Sequence, residues 1–170
     1  WFAFRFRERG YDGDNFPVFL NGVSINDPET GFAVFGEFGG LNDVMRRREN
    51  TVGLEANDFA FSEIGGASNI DTRASVQRKT TRASFAKSNR SYNNRVMLTM
   101  NTGLMPKGWA VSMSASRRWA DVGSVPGTYF DGYSYFLSVD KKFGHKHTLN
   151  LTFLGAPSIR GRQTDSNAEL

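Results

Sequence analysis

The feature that most constrains this chain is a series of period-two alternations in its second half. Val96, Leu98 and Met100 form one apolar set, and Trp109, Val111, Met113 and Ala115 form the next, with Ala110, Ser112, Ser114 and Ser116 between them. Tyr133, Tyr135, Leu137 and Val139 stand against Ser134, Phe136, Ser138 and Asp140, and Leu149, Leu151 and Phe153 alternate with Asn150 and Thr152. Successive side chains on a strand point to opposite faces, so each segment is a strand with one apolar face and one mostly small, polar face. A weaker strand at 80–88 has Ala83 and Phe85 opposite Arg82 and Ser84.

Composition agrees with a mainly β chain. Among 170 residues there are 18 glycines and 15 phenylalanines, a usage that favours short strands and turns over a helical bundle. The absence of cysteine excludes disulfides, thiolate metal sites and cysteine nucleophiles. A net charge of +4 is spread thinly, with arginines concentrated only at 46–48 and 78–82. Tracking phosphates needs a concentrated basic stripe, so the charge does not point to nucleic acid. No run of eighteen apolar residues predicts a membrane helix, and no basic-then-apolar leader opens the sequence. Any targeting signal is expected to lie outside these residues.

Two parts with different grammar meet near Thr72. Residues 1–72 carry short apolar runs such as PVFLNGVSI (17–25) and NTVGLE (50–55) between turn signals. They predict a small mixed domain of short strands, with one or two brief helices around 38–46. Residues 73–170 follow the hairpin pattern.

Alternating strands suit either a soluble sandwich or a membrane barrel. The aromatics favour the barrel: Trp109 and Trp119 share a face ten residues apart, as do Tyr133 and Phe143. At ~3.3 Å per residue and ~40° of tilt this spans ~25 Å, the height of an apolar band between aromatic girdles. MPKG and GHK read as tight turns, WADVGSVPGTYFD and the tail after Pro157 as long loops. Arg117 breaks the apolar parity, but beside Trp119 it falls at the edge of the band. Arginine at Leu137 or Val111 is expected to be costly, and at Ser114 or Ser138 milder.

Chemical motifs are few. Asp12, Asp14 and Asn15 have the spacing of a calcium loop without its glycine at position six or its glutamate at twelve, and so read as a polar turn. His145 and His147 flank a lysine in a turn with no third metal ligand nearby. No nucleophile elbow, zinc-helix motif or phosphate loop is present, so no enzyme, metal or cofactor is expected. In the opening WFAFRFRERG, Phe2, Phe4 and Phe6 share one face of a strand and Arg5, Arg7 and Arg9 the other.

Two stretches carry a resemblance. RERGYDGDNFPVFLNGV (7–23) is similar to the plug motif of TonB-dependent outer-membrane receptors, with Asn21 where an aspartate is usual. NDFAFSEIGGASNIDTRAS (57–75) resembles their closing motif, matched at Gly65, Gly66, Asn69, Ile70, Thr72 and Arg73. TVGL (51–54) departs from the family pattern, and GGLNDV (39–44) is most similar to receptors of the Bacteroidota. The resemblance implies a plug domain over 1–72 and, over 73–170, about five strands of a transmembrane barrel that has about 22 in the family. It further implies that the chain is a fragment, entered in mid-domain and lacking most of the barrel.

By the same resemblance the protein sits in the outer membrane of a Gram-negative bacterium and takes up a nutrient ligand. Its expected partners are the energy-coupling TonB protein, outer-membrane lipid and a possible surface lipoprotein, with no nucleic acid. Tyr11, Asp12, Asp14 and Asn15 fall in the first plug apex and Asp27, Glu29 and Thr30 in the second, as ligand-binding candidates. Arg82, Arg95 and Arg118 would face the lumen, pairing with plug acids or lining the ligand path. The alternative is a soluble β-rich module binding glycans or nucleic acid through basic and aromatic residues.

Overall fold

The computed structural model describes residues 10–33, 35–58, 61–89, 92–123, 126–144 and 146–161. The alternating Phe2–Arg9 stretch and His145 lie outside them. The chain is mainly β and forms two sheets.

The small sheet has the order β2-β1-β4-β3, from β1 (Val18–Leu20), β2 (Val23–Ser24), β3 (Arg48–Thr51) and β4 (Ala67–Ile70). Asn21 and Gly22 join β1 to β2 with φ of 49° and 84°, the left-handed pair that matches hairpin twist. β4 runs parallel to β1, antiparallel to β3, and is buried along its whole length. It is entered through Gly65 and Gly66, where a Cβ would strike the backbone of Asn15 and Thr51. Only glycine permits that approach.

The helices expected around 38–46 are absent. A 3₁₀ turn at Phe35–Phe38 is followed by turns, closed by three-residue bonds such as Leu41 N–H to Phe38 O (3.3 Å) and Val44 N–H to Leu41 O (3.2 Å). Gly36, Gly39 and Gly40 are poor helix formers, and Gly40 is left-handed with φ of 88°. The apolar spacing still works, because Leu41 and Val44 become fully buried.

The large sheet is an antiparallel meander of β5 (Thr80–Lys87), β6 (Asn94–Asn101), β7 (Trp109–Ala120), β8 (Phe130–Phe143) and β9 (His147–Gly155). Residues 158–160, expected to begin a long loop after Pro157, form a strand instead. β10 (Ser158–Arg160) pairs with β8 in the register β9 began: Gly155 faces Tyr135 and Ser158 faces Gly132. Proline has no N–H to donate, yet its carbonyl still accepts from Tyr133 N at 3.0 Å. The connections separate the two ends less sharply than the sequence suggested. Residues 102–108 and 144–146 link strands at one end, 88–93 and 121–129 at the other.

The faces of this sheet are inverted. Ser112, Ser114, Ser134, Ser138, Thr99 and Asp140 are buried, while Val96, Leu98, Met100, Met113, Tyr135, Leu137, Leu149, Leu151 and Phe153 are each more than a third exposed. The buried polar face packs on the small sheet, around a core of Val18, Leu41, Val44, Met45, Ile70 and Phe136, which with Phe130 is a large inward apolar residue of β8. Among the described residues no helix is long and apolar enough to cross a membrane.

Candidate functional site

The two apex loops anticipated from sequence meet. Residues Gly13–Asn15 form a 3₁₀ turn, with Asn15 N–H donating to Asp12 O (3.0 Å) and Asn15 Nδ2 to Asp14 Oδ1 (2.7 Å). Asn15 O in turn accepts from Gly65 N (3.0 Å), tying this loop to the entry of β4. The second loop closes when Asn26 Oδ1 accepts from Val18 N (2.6 Å) and Asn26 Nδ2 donates to Gly31 O (2.8 Å). Gly31, at φ 70°, lies so near the first loop that a Cβ there would sit 2.6 Å from Asp14 Cβ. Tyr11, Asp12, Asp14, Asn15, Asp27, Glu29 and Thr30 thus share one end of the small sheet.

Their roles divide. Asp27 Oδ1 accepts from Thr30 N (2.7 Å), the Thr30 hydroxyl (2.9 Å) and Glu29 N (3.1 Å), an Asx turn that the carboxylate itself builds. The Thr30 amide, and then its hydroxyl, hold Asp27 below the ordinary carboxylate range. Asp27 and the Thr30 hydroxyl are therefore engaged in shaping the loop. Tyr11, Asp12, Asp14 and Glu29 project from it as an exposed, acidic and aromatic surface.

The three arginines Arg82, Arg95 and Arg118 do lie on the polar face of the large sheet, but only two come together. Arg95 and Arg118 are directly opposite on β6 and β7. Arg82 lies apart, its Nη1 3.6 Å from Asp43 Oδ1. Arg118 is almost wholly buried, with Tyr92 and Phe130 rings at 5.8 Å and 5.3 Å from its Cζ. Its guanidinium lies against Gly39, where a Cβ would come 2.8 Å from Cζ. Beside it Ser134 Oγ donates to Gly39 O at 2.5 Å. Sequence reasoning missed Tyr92, Phe130, Ser134 and this use of Gly39 and of Gly40, where a Cβ would come 2.7 Å from Ser134 Oγ; the one available signal was two adjacent glycines, whose partner strand no pattern reveals.

The rest of the seam between the sheets is polar. Ser75 N–H donates to the fully buried Asp140 at 2.8 Å, and Asn150 Nδ2 donates to the same carboxylate and, at 3.0 Å, to Ser138 Oγ. Asn21 Nδ2 donates to Thr72 Oγ1 (2.9 Å) and reaches Thr152 Oγ1 (3.5 Å), while Asn21 Oδ1 accepts from Thr72 N (2.8 Å). Next to it, Arg73 grips Asp71 with Nε at 2.9 Å and Nη2 at 2.8 Å, and Arg47 stands 3.7 Å away. Burial pushes Asp71 up, but the Arg73 hydrogen bonds and the charges of Arg73 and Arg47 outweigh it and leave Asp71 below the usual carboxylate range.

The apolar outer face is bounded at both ends by cations among aromatic rings. Arg117 pairs with both Asp131 oxygens (3.1 and 3.0 Å) and lies 5.5 Å from the Trp119 ring and 5.2 Å from Tyr133. Lys141, which the sequence pattern did not single out, lies 4.8 Å from Trp109 and 5.7 Å from Phe143, and donates to Lys107 O at 2.7 Å. Among the described residues no three carboxylates or histidines are grouped as metal ligands. No protein-family model, curated protein or solved structure matches the chain.

Proposed function

We propose that the chain is part of an outer-membrane receptor that takes up a nutrient ligand with energy supplied by a TonB-type partner, the small sheet being plug and the large sheet barrel wall. The observation that carries the reading is the inverted large sheet. Fully burying an apolar side chain is worth about 1.5–3 kcal/mol, so leaving half of each outward residue in water forfeits about 1 kcal/mol apiece. Over the nine outward residues named above that approaches ~10 kcal/mol, as large as the ~5–15 kcal/mol stability of a whole domain. A hydrocarbon surrounding removes the conflict. The aromatic and cationic borders around Trp119 and Trp109 suit the two edges of such a layer.

The polar seam supports the transport step. Its hydrogen bonds can be exchanged for bonds to water at about 0.5–1.5 kcal/mol each. A seam made wholly of apolar side chains could not be hydrated so cheaply; here a shift of plug against wall exchanges these bonds for water and exposes only the small core around Leu41, Val44 and Phe136. Ligand would dock on the acidic surface of Tyr11, Asp12, Asp14 and Glu29, and the work is conformational, without covalent chemistry.

Fractionation of cells expressing the full-length reading frame tests the reading. Recovery in the outer-membrane fraction, released only by detergent, is the expected result. Purification from the aqueous fraction as a detergent-free monomer overturns it in favour of a soluble binding module.

A further inference from the structure

The geometry points to a second ligand contact, an oxyanion subsite formed by Arg95 and Arg118 that takes a carboxylate or phosphate group of the transported ligand. Its place in uptake rests on the receptor reading; anion binding as such does not. The other arginines close to an acid are compensated: Arg46 and Arg82 by Asp43, Arg47 and Arg73 by Asp71, Arg117 by Asp131. Arg95 and Arg118 have no carboxylate partner among the described residues, although like charges directly opposite on adjacent strands repel.

Three buried polar atoms at this spot lack a hydrogen-bond partner among the described residues: Arg95 Nε, Arg118 Nε and Ser116 Oγ. Buried polar groups are almost always satisfied, and a buried charge calls for an opposite one. The Tyr92 and Phe130 rings orient the Arg118 guanidinium without neutralising it. Asp71 is held by Arg73 and Arg47, and Asp43 faces Arg46 and Arg82 through Oδ1, its Oδ2 alone having no hydrogen-bond partner among the described residues. Among the described residues no acid is placed to compensate them, and an anion from outside the chain fits the place: two planar N–H forks with a hydroxyl beside them suit the oxygens of a carboxylate or phosphate. Gly39 and Gly40 close one side of Arg118 and lie against the Ser116 hydroxyl, so the anion enters past Arg95 and Tyr92, which are only half-buried.

The test is thermal unfolding of the full-length protein in detergent, in sodium phosphate or sodium citrate against sodium chloride of equal ionic strength. One or both oxyanions are expected to raise the midpoint by a few degrees, an effect lost in R95Q/R118Q and kept in R82Q, whose arginine already has Asp43. A rise with citrate alone assigns the subsite to carboxylates, and with phosphate alone to phosphates. No rise over chloride, or a full rise in the double variant, overturns the subsite. Should the double variant fail to fold, R95Q at the half-exposed position decides the matter in the same way. Fractionation of the same proteins separates the two readings: membrane-bound protein without an anion effect removes only the subsite. Aqueous protein with one removes only the receptor.

Discussion

The two sheets solve opposite problems with the same alternating grammar. In the small sheet Val18 and Ile70 turn inward to a core, and polar residues such as Arg48 and Asn50 turn outward. In the large sheet serines and threonines are inside and leucines outside. Alternation therefore defines two faces but not which of them is buried. That is settled by what each sheet packs on: Gly39, Gly40 and Asn21, in the connections of the small sheet, meet Ser134, Ser116 and Thr152 of the large one, side chains small and polar enough to receive them.

The comparison breaks most readily at the shared core. Leu41→Ala should cost about 2–5 kcal/mol, read by thermal or denaturant unfolding, because Leu41 is fully buried where both sheets meet. An effect below 1 kcal/mol would mean that the sheets do not share a core.

Leu137→Arg comes next. In a bilayer it should cost about 2–4 kcal/mol and lower assembly into the membrane fraction, whereas at an exposed position in water it should change stability by less than ~0.5 kcal/mol. The structure also revises the milder effect expected for arginine at Ser114 or Ser138. Ser138 is fully buried beside Asn150 and Thr152, so Ser138→Arg has no room and should impair folding at least as much as Leu137→Arg.

Asn21→Ala should cost about 1–2 kcal/mol, since it loses the Thr72 bonds and places alanine in a left-handed conformation. Asn21→Gly isolates the first part of that loss, and equal effects of the two changes would remove backbone strain from the account.

The smallest effect concerns pH. Asp71 is lowered in the folded state, so its contribution is complete above its unfolded value of ~3.9 and is lost as pH falls through the folded one. Asp71→Asn should remove that part of the acid sensitivity while leaving Leu41→Ala as damaging as before. An unchanged acid profile in the variant would show that the Arg73 pairing has no consequence for stability.

Much of the site was legible in part. The parity of every strand in the meander follows from local chemistry, because side-chain alternation acts over a few residues, whereas Asn21, Gly65 and Gly66 stood out through the resemblance of their motifs. The juxtaposition of Gly31 with Asp14 was not legible, nor was that of Gly39 with Arg118, since each joins segments whose separation no periodicity encodes. The continuation through Pro157 was missed for a related reason: proline forbids a donor, and only the facing Tyr133 shows that an acceptor suffices there.

The sequence by itself determined that this is a mainly β chain of two grammars, without cysteine chemistry, whose longer strands carry one apolar and one small polar face. Tertiary structure decided that the polar face is the buried one, and that Arg82 has an acid while Arg95 and Arg118 have, among the described residues, each other and two aromatic rings but no carboxylate. The physical reason is range. Alternation and turn preference are properties of neighbouring residues, whereas burial and charge compensation depend on which distant segment the fold brings within a few ångströms.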